Sequence, residues 1–188
     1  MAKKISYYLS NIAIIFMIAM FFSCGNDIKE VQDFLAEKNL PIGTAKNVFL
    51  IHTYSGLVKT VLRAPTMHDY SNREDHPYTL FPDGIKIVSF DAKGDSVILI
   101  AGYSISYANT DISEVKDSVK IINHAAQTKL FTDQLFWDSN EHYIYTEKKF
   151  TLITNLDTIH GQGFESNEDL TKVNMKSIQG SIYVKESP

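Results

Sequence analysis

Hydrophobic and polar positions alternate with a period of two from Asn47 onward, which is typical of β-strands with one buried face. Turn-forming Gly, Asn, Asp and Ser residues separate many of the alternating runs. The pattern predicts strands at 47–53, 56–64, 85–90, 96–107, 118–123, 129–137, 142–146, 149–154, 157–161, 173–178 and 181–185. No helical period lies between these runs, so the sequence predicts an all-β fold built from antiparallel strands.

One stretch of the body departs from the alternation. Residues 65–84 are polar and contain three prolines, which cannot donate a backbone hydrogen bond within a sheet. The sequence therefore predicts a long loop here, with at most one short strand.

The N-terminal segment has the pattern of a targeting signal. Lys3 and Lys4 precede an unbroken apolar run of eleven residues, Ile12–Phe22. A membrane-spanning helix needs about 20 apolar residues, whereas a signal-peptide core needs about 7–15. Residues 1–23 are therefore predicted to be a lipoprotein-type signal peptide, with an uncleaved membrane anchor as the alternative.

Cys24 follows this segment directly and is the only cysteine in the chain, so it cannot form an internal disulfide. The small Ser23 before it resembles a bacterial lipobox, although Phe21 stands where Leu is usual. Lipidation of Cys24 is favoured over a free thiol beside an uncleaved anchor. Either alternative places the body outside the cytoplasm and against a membrane.

A short helix is predicted between the anchor and the body. Asp27 and Glu30 have the spacing of a capping box, and the apolar positions that follow share one helical face. Residues 24–40 are thus expected to form a lipidated cysteine with a helical stalk. Residues 41–188 are expected to form one β-domain, since 188 residues suffice for a single core.

Charge disfavours nucleic acid as a partner. The chain carries a net charge of −4, and loss of Lys3 and Lys4 with the signal leaves an even more acidic body. Binding to nucleic-acid phosphates needs a basic surface.

Catalytic chemistry is not indicated. Histidines and acids crowd residues 68–76, but their spacing matches no metal-ligand template and they lie in the predicted loop. No Gly-x-Ser-x-Gly motif occurs. We therefore predict a protein that is not an enzyme and needs neither metal nor cofactor, with a carboxylate pair assembled in space left open as an alternative.

The Gly-x-Gly of Gly161 and Gly163 does not predict a nucleotide site. A dinucleotide fingerprint needs a third glycine where Ser166 stands, and a helix after it. We expect the two glycines to permit close strand packing or a bulge. Phe164 should then point inward, and 165–169 should form a solvated turn.

Several ordered segments resemble the LptC family, the membrane-anchored periplasmic components of the lipopolysaccharide export machine. These segments are 62–65, 81–85, 101–107, 129–138, 144–146, 150–153 and 159–166. The resemblance covers 41–185 and has the form found in Bacteroidetes-like lipoproteins. Typical members keep a full transmembrane helix, whereas this sequence predicts a lipidated Cys24 in its place.

This resemblance implies an open antiparallel β-jellyroll of the LptA, LptC and OstA type. It implies a non-enzymatic carrier on the periplasmic side of the inner membrane that accepts lipopolysaccharide from an ABC transporter. The acyl chains of lipid A would lie in an apolar β-groove, and a periplasmic LptA-like bridge would receive the lipid through edge-strand pairing.

Strand alternation and the resemblance together give a set of candidate inward-facing lipid contacts. The set is Leu130, Phe131, Thr132, Leu135, Trp137, Ile144, Tyr145, Phe150, Leu152 and Phe164. Each of these side chains could equally pack a sealed core. In that case the protein would be an envelope lipoprotein that binds protein or glycan, for which exposed tyrosines at 70, 78, 103 and 107 would be the platform.

Overall fold

The structure, a computed structural model, describes residues 40–179, and every regular element in this range is a β-strand. The strands are β1 (Gly43–Tyr54), β2 (Leu57–Tyr70), β3 (Tyr78–Phe81), β4 (Ile85–Phe90), β5 (Ser96–Ala101), β6 (Tyr103–Tyr107), β7 (Ile112–Asn123), β8 (Thr128–Asp138), β9 (Tyr143–Ile153), β10 (Thr158–Asn167) and β11 (Val173–Gln179). The all-β prediction is confirmed. The signal segment, Cys24, the helical stalk and the predicted strand 181–185 lie outside the described residues.

All eleven strands belong to one antiparallel sheet. Its order is β11-β10-β9-β8-β7-β5-β4-β2-β3-β6, with β1 paired to β2 and a further pairing of β6 with β7. The long strands β2 and β7 therefore each have two neighbours on one side. Near one end they pair with β3 and β6, and near the other end with β4 and β5.

These pairings define two layers. The β3–β6 layer comprises β3, β6 and the parts of the long strands at 68–70, 112–116, 134–138, 143–146 and 164–167. The β4–β5 layer comprises β4, β5 and the parts at 60–63, 119–123, 128–132, 150–153 and 158–162. The sheet folds over between them, which is the jellyroll that the resemblance implied.

A line of irregular residues marks the fold between the layers. Register shifts interrupt β7 at Lys116/Val119, and the partners of β8 and β9 shift at matching places. In β7, Asp117 and Ser118 both adopt positive φ angles, and in β10 Gly163 does the same with φ +77°. Bulges bend a strand and increase its twist, so aligned bulges turn the whole sheet at one line.

The core lies between the two layers and is continuous. Its best-defined part is one cross-strand row of apolar residues, here called the inner row: Leu62, Ile87, Leu99, Ile121, Leu130, Leu152 and Ile159. Leu130 is fully buried, as are Leu135 and Phe164 from the other layer. Full burial of one such side chain contributes about 1.5–3 kcal/mol relative to exposure.

The predicted loop 65–84 is wrong in large part. Strand β2 continues to Tyr70, and β3 occupies Tyr78–Phe81. Pro65 is tolerated inside a strand because it lies opposite the positive-φ residue Asn47, where the β1–β2 pairing is irregular. Only the stretch between Tyr70 and Tyr78 and the turn at 82–84 lie outside the strands.

Three other boundaries differ from the alternation pattern because of the fold line. The predicted strand 96–107 is divided at Gly102, whose N–H donates to the Asp117 carbonyl at 2.8 Å. The predictions 142–146 and 149–154 are one bulged strand, β9. Strand β7 starts at Ile112 rather than at 118. Its first half is rich in polar residues, so the sequence shows no clear alternation of apolar and polar positions there.

Candidate functional site

A cavity of about 380 Å³ lies between the two layers at one end of the core. Ile87, Leu99 and Ile121 of the inner row form one wall, and Trp137 and Ile144 from the β3–β6 layer form the other. Its size falls within the range of about 300–1,000 Å³ that is usual for ligand pockets. These five side chains present hydrocarbon and an indole ring, which suits an apolar chain.

Polar side chains also line this cavity. One group of them, here called the mouth residues, comprises Trp137, Asn123 and Glu168, and further polar side chains come from Ser89, Asp91, Asp95 and Ser96. The indole N–H of Trp137 donates to Glu168 Oε1, and His142 Nδ1 lies 3.3 Å from Glu168 Oε2. The side-chain amide of Asn123 donates to the Asp169 carbonyl at 2.7 Å. The turn after β10 is thereby held across the opening, with Leu170 packed into the core.

The acidic residues and histidines of the described domain are dispersed. Within residues 40–179, no group of three or more His, Cys, Asp or Glu residues is placed to hold a metal ion. Asp69 belongs to β2, whereas Glu74, Asp75 and His76 lie exposed in the loop after it. An apolar interior with a polar mouth can bind and orient a hydrocarbon chain while its polar end stays in water.

The candidate lipid contacts divide into three groups. Trp137 and Ile144 line the cavity. The second group is packed within the core: Leu130, Thr132, Leu135, Phe150, Leu152 and Phe164. Thr132 is accommodated because its hydroxyl donates to the Lys149 carbonyl at 2.8 Å.

Phe131 and Tyr145 form the third group, and their predicted inward orientation is wrong. Phe131 follows the fully buried Leu130, and Tyr145 follows the buried Ile144. Successive strand residues point to opposite faces, so both aromatic rings lie half-buried on the outer surface. Tyr145 stacks there on Phe136, with ring centroids 5.1 Å apart.

The two glycines of β10 lie at close backbone approaches. A Cβ atom at Gly161 would overlap the Ser177 carbonyl oxygen and lie 2.6 Å from Cζ of Phe150. A Cβ at Gly163 would lie 2.9 Å from the Lys176 side chain, on a backbone with φ +77°. The expected turn at 165–169 is wrong for its first residues, because β10 extends to Asn167.

A family model for lipopolysaccharide-assembly, LptC-related proteins matches residues 12–183, which is nearly the whole chain. The chain belongs to the LptC family. The resemblance found in the sequence is thus confirmed, and with it a role in lipopolysaccharide transport in the cell envelope. The family is a non-enzymatic component of that transport. A search of curated proteins gave no match to the chain.

No helix within residues 40–179 of this LptC-related chain is long and apolar enough to cross a membrane. The family model begins at residue 12, inside the apolar run of the N-terminal segment.

Most of the residues that line the cavity of this LptC-related protein were missed by the candidate set. Ile87, Leu99 and Ile121 come from the middle of the chain, whereas every candidate came from residues 130–164. The apolar runs in β4, β5 and β7 could have indicated these residues, because antiparallel pairing aligns the three strands.

The outer surface of the β3–β6 layer is aromatic and its charges are paired. Tyr70 stacks on Tyr78 at 4.6 Å, and Tyr78 contacts Tyr107 at 6.2 Å, while Tyr103 lies apart under Lys116. Lys116 pairs with Glu114 at 2.9 Å. Three of the four tyrosines predicted to form a platform, Tyr70, Tyr78 and Tyr107, therefore lie in one row, and Tyr103 is not part of it.

A second charged group lies further along the same surface. Burial, then a hydrogen bond to Glu165, raises the pKa of Tyr143 to about 12. The hydrogen bond from Tyr143, followed by that from Lys176, lowers the pKa of the Glu165 carboxyl. Lys176 also pairs with Glu147, so each charge of this group has an opposite partner.

The sheet of the described domain ends at two edge strands. Within residues 40–179, β1 pairs only with β2, and β11 pairs only with β10. Phe49, Leu50 and Ile51 of β1 are each about half exposed, at 52%, 50% and 52%. Leu50 pairs with Leu62 and so extends the inner row to the open side of the sheet.

Proposed function

We propose that this LptC-related protein carries lipopolysaccharide by holding its acyl chains against the inner row. The observation that supports this most strongly is the continuity of that row. It runs from Ile159 in β10 through the cavity-lining Ile87, Leu99 and Ile121 to the half-exposed Leu50 in β1. An acyl chain moving along it would stay in contact with hydrocarbon from the cavity to the edge of the sheet.

The size of the cavity adds a condition to this proposal. A lipid with several acyl chains needs more room than about 380 Å³ between the layers. We infer that the two layers move apart during loading and that the mouth residues Trp137, Asn123 and Glu168 release the turn after β10. Each Å² of hydrocarbon removed from water contributes about 25 cal/mol, which offsets the opening.

The proposal extends to partners and location. The protein would accept lipopolysaccharide from the inner-membrane ABC transporter complex and pass it to a periplasmic LptA-like bridge. The unpaired sides of β1 and β11 in the described domain could each add a strand from such a neighbour. Lipidation of Cys24 would hold the protein on the periplasmic side of the inner membrane, with no catalysis and no cofactor required.

Trp137 provides a direct test, because it is the only tryptophan of the chain and lines the cavity. We expect titration of the full-length protein in nanodiscs with lipopolysaccharide to shift Trp137 fluorescence to shorter wavelength and to saturate. The deacylated saccharide should leave the emission unchanged. An equal response to both ligands, or no response to lipopolysaccharide, would reject the proposed groove.

Neighbouring residues of β5 supply a matched pair of variants for this titration. Leu99 faces the cavity, whereas Ile100 lies on the outer surface and is 37% exposed. Leu99→Phe should fill cavity volume and weaken the fluorescence response, and Ile100→Phe should retain it. The reverse order would place the lipid on the other face of the sheet.

A sealed envelope lipoprotein that binds glycan is the second candidate function. The row of Tyr70, Tyr78 and Tyr107 favours it, since aromatic rings supply rigid amphipathic contact area. Binding of the deacylated saccharide that is lost in Tyr78→Ala, with no effect of Leu99→Phe, would support this candidate over the carrier.

A further inference from the structure

The outer surface of the β4–β5 layer is apolar, although antiparallel sheets usually carry polar residues on the face away from the core. One cross-strand row on this surface consists entirely of branched aliphatic residues from five neighbouring strands. They are Ile51, Val61, Val88, Ile98 and Ile122. Ile51 is 52% exposed, and the other four are half-buried.

The adjacent row on the same surface combines three cations with three apolar residues. It runs Phe49, Arg63, Lys86, Ile100, Lys120 and Phe131. The Arg63 guanidinium lies 4.7 Å from the centre of the Phe49 ring, and the Lys120 ammonium lies 5.4 Å from that of Phe131. The cations therefore lie along the apolar surface rather than away from it.

We call the surface formed by these two rows the outer basic face. All of its charged side chains are positive. Neither row contains a carboxylate, although the whole chain has a net charge of −4. Within the described residues, Arg63, Lys86 and Lys120 form no ion pair, whereas Lys116 and Lys176 of the other layer are paired with glutamates. The positive charges are thus left to attract an anionic partner.

A shallow groove of about 800 Å³ borders the outer basic face near Lys120 and Phe131. Lys149 and His160 add polar and cationic groups to it, and Asp133 contributes the one carboxylate among its lining residues. The positive surface therefore continues toward β9 and β10.

We propose that the outer basic face docks on the surface of an anionic phospholipid membrane. Its aliphatic row would enter the boundary between head groups and acyl chains, and Arg63, Lys86 and Lys120 would contact the lipid phosphates. Apolar area combined with attraction to anionic lipids is what binds interfacial helices to membranes, and a sheet face can present the same combination. Long basic side chains place their stems on apolar surface while their charges reach the head groups.

This inference goes beyond lipopolysaccharide carriage, because it concerns the face opposite the inner row. Docking would leave the cavity and the mouth residues clear of the membrane lipids. One layer would then contact two lipid environments, with the membrane outside and the transported acyl chains inside.

The test uses the full-length protein with p-benzoylphenylalanine at Ile98, reconstituted into vesicles of phosphatidylcholine with or without phosphatidylglycerol. We expect phospholipid adducts in the anionic vesicles, fewer in the neutral ones, and a decline with added salt. The matched control is the same photoprobe at Tyr145, on the outer surface of the other layer, where we expect no adduct.

Charge variants provide the second arm. Each basic residue near an anionic surface is worth roughly five-fold in binding. Lys86→Gln combined with Lys120→Gln should therefore lower the ratio of docked to undocked protein about 25-fold. Lys148→Gln with Lys172→Gln makes the same change in net charge at exposed positions outside the face and should have little effect.

Three results would overturn the proposal. The first is absence of phospholipid adducts at Ile98. The second is an adduct yield that is equal in neutral and anionic vesicles, or a ratio of docked to undocked protein that is equal in the two double variants. The third is capture of protein at Ile98, either from a second copy or from another part of the same chain.

Discussion

The two faces of the β4–β5 layer are both apolar, but they differ in how much of their side chains is exposed. On the inner face, Leu130 is fully buried and Ile121 retains 2% of its exposure, within a single continuous core. On the outer face, Ile51 and Ile100 are 52% and 37% exposed, with unpaired cations between them in the described domain. The inner face packs against the other layer except at the cavity, whereas the outer face has no layer over it in the described domain.

This difference shows how a sheet that is apolar on both faces departs from one with a solvated face. A sheet with one solvated face shows strict alternation, which makes its core easy to predict. Strands β4 and β5 (IKIVSF and SVILIA) carry apolar residues on both faces. The face that contacts the core is then defined only by pairing and burial.

The largest expected effect contrasts Leu130 with its neighbour Phe131. Leu130→Ala removes a fully buried side chain and should lower the free energy of unfolding by about 2–5 kcal/mol. Phe131→Ala removes a half-buried outer ring and should cost about 1 kcal/mol or less. Urea denaturation followed by Trp137 fluorescence measures both. Equal losses would contradict the assignment of the two faces.

The next effect concerns the close approach of β10 to β11. Gly161→Ala places a Cβ against the Ser177 carbonyl and the Phe150 ring, and overpacking of this kind costs about 1–3 kcal/mol. Gly43→Ala is the control, since its Cβ would lie 3.8 Å from the nearest atom, Asp69 Cβ. Comparable stability of the two variants in urea would show that the backbone at Gly161 has more room than described.

The mouth of the cavity should show a smaller effect. Trp137→Phe keeps an aromatic ring but removes the N–H that donates to Glu168, which should cost about 1 kcal/mol at this partly exposed position. Circular dichroism during urea denaturation provides the measurement. Glu168→Gln retains a neutral acceptor and should cost less than Trp137→Phe; a greater cost would indicate that Glu168 is held by other contacts.

The smallest effect is a pH dependence confined to the outer surface of the β3–β6 layer. Hydrogen bonds from Tyr143 and Lys176 lower the folded-state pKa of the Glu165 carboxyl below its ordinary value. The stabilising contribution is therefore present above that value and is lost as the pH falls through the folded-state pKa. Because the group lies at the surface, solvent screening keeps the contribution small.

Thermal unfolding of wild type and Glu165→Gln as a function of pH measures this contribution. The two proteins should differ at neutral pH and converge as the medium becomes more acidic than the ordinary carboxylate range. A difference that persists at low pH would show that the substitution acts through packing.

The sequence predicted the all-β fold and the family because both depend on features that recur along the chain. Alternation predicted most strands, and ordered short segments such as 159–166 indicated the LptC family. The fold line was missed, since Asp117 and Ser118 show their positive φ angles only in the folded backbone. Trp137 and Ile144 were among the predicted lipid contacts, whereas Phe131 and Tyr145 were assigned to the wrong face.

The opposite wall of the cavity could not be inferred from the C-terminal strands alone. Ile87 and Leu99 face Trp137 because the sheet folds back on itself. No local pattern in either segment specifies that approach. Strand β5 pairs with β7, although the two strands are not adjacent in the sequence. This pairing places Leu99 in the same sheet as the strands that carry Trp137 and Ile144.

Site-specific photocrosslinking in cells that are exporting lipopolysaccharide tests the central claim most directly. Ile144 lines the cavity, and its neighbour Tyr145 lies on the outer surface of the same strand. With p-benzoylphenylalanine at each position in turn, we expect lipopolysaccharide adducts at Ile144 and none at Tyr145. Adducts at Tyr145 alone, or equal adducts at both positions, would contradict transport along the inner face.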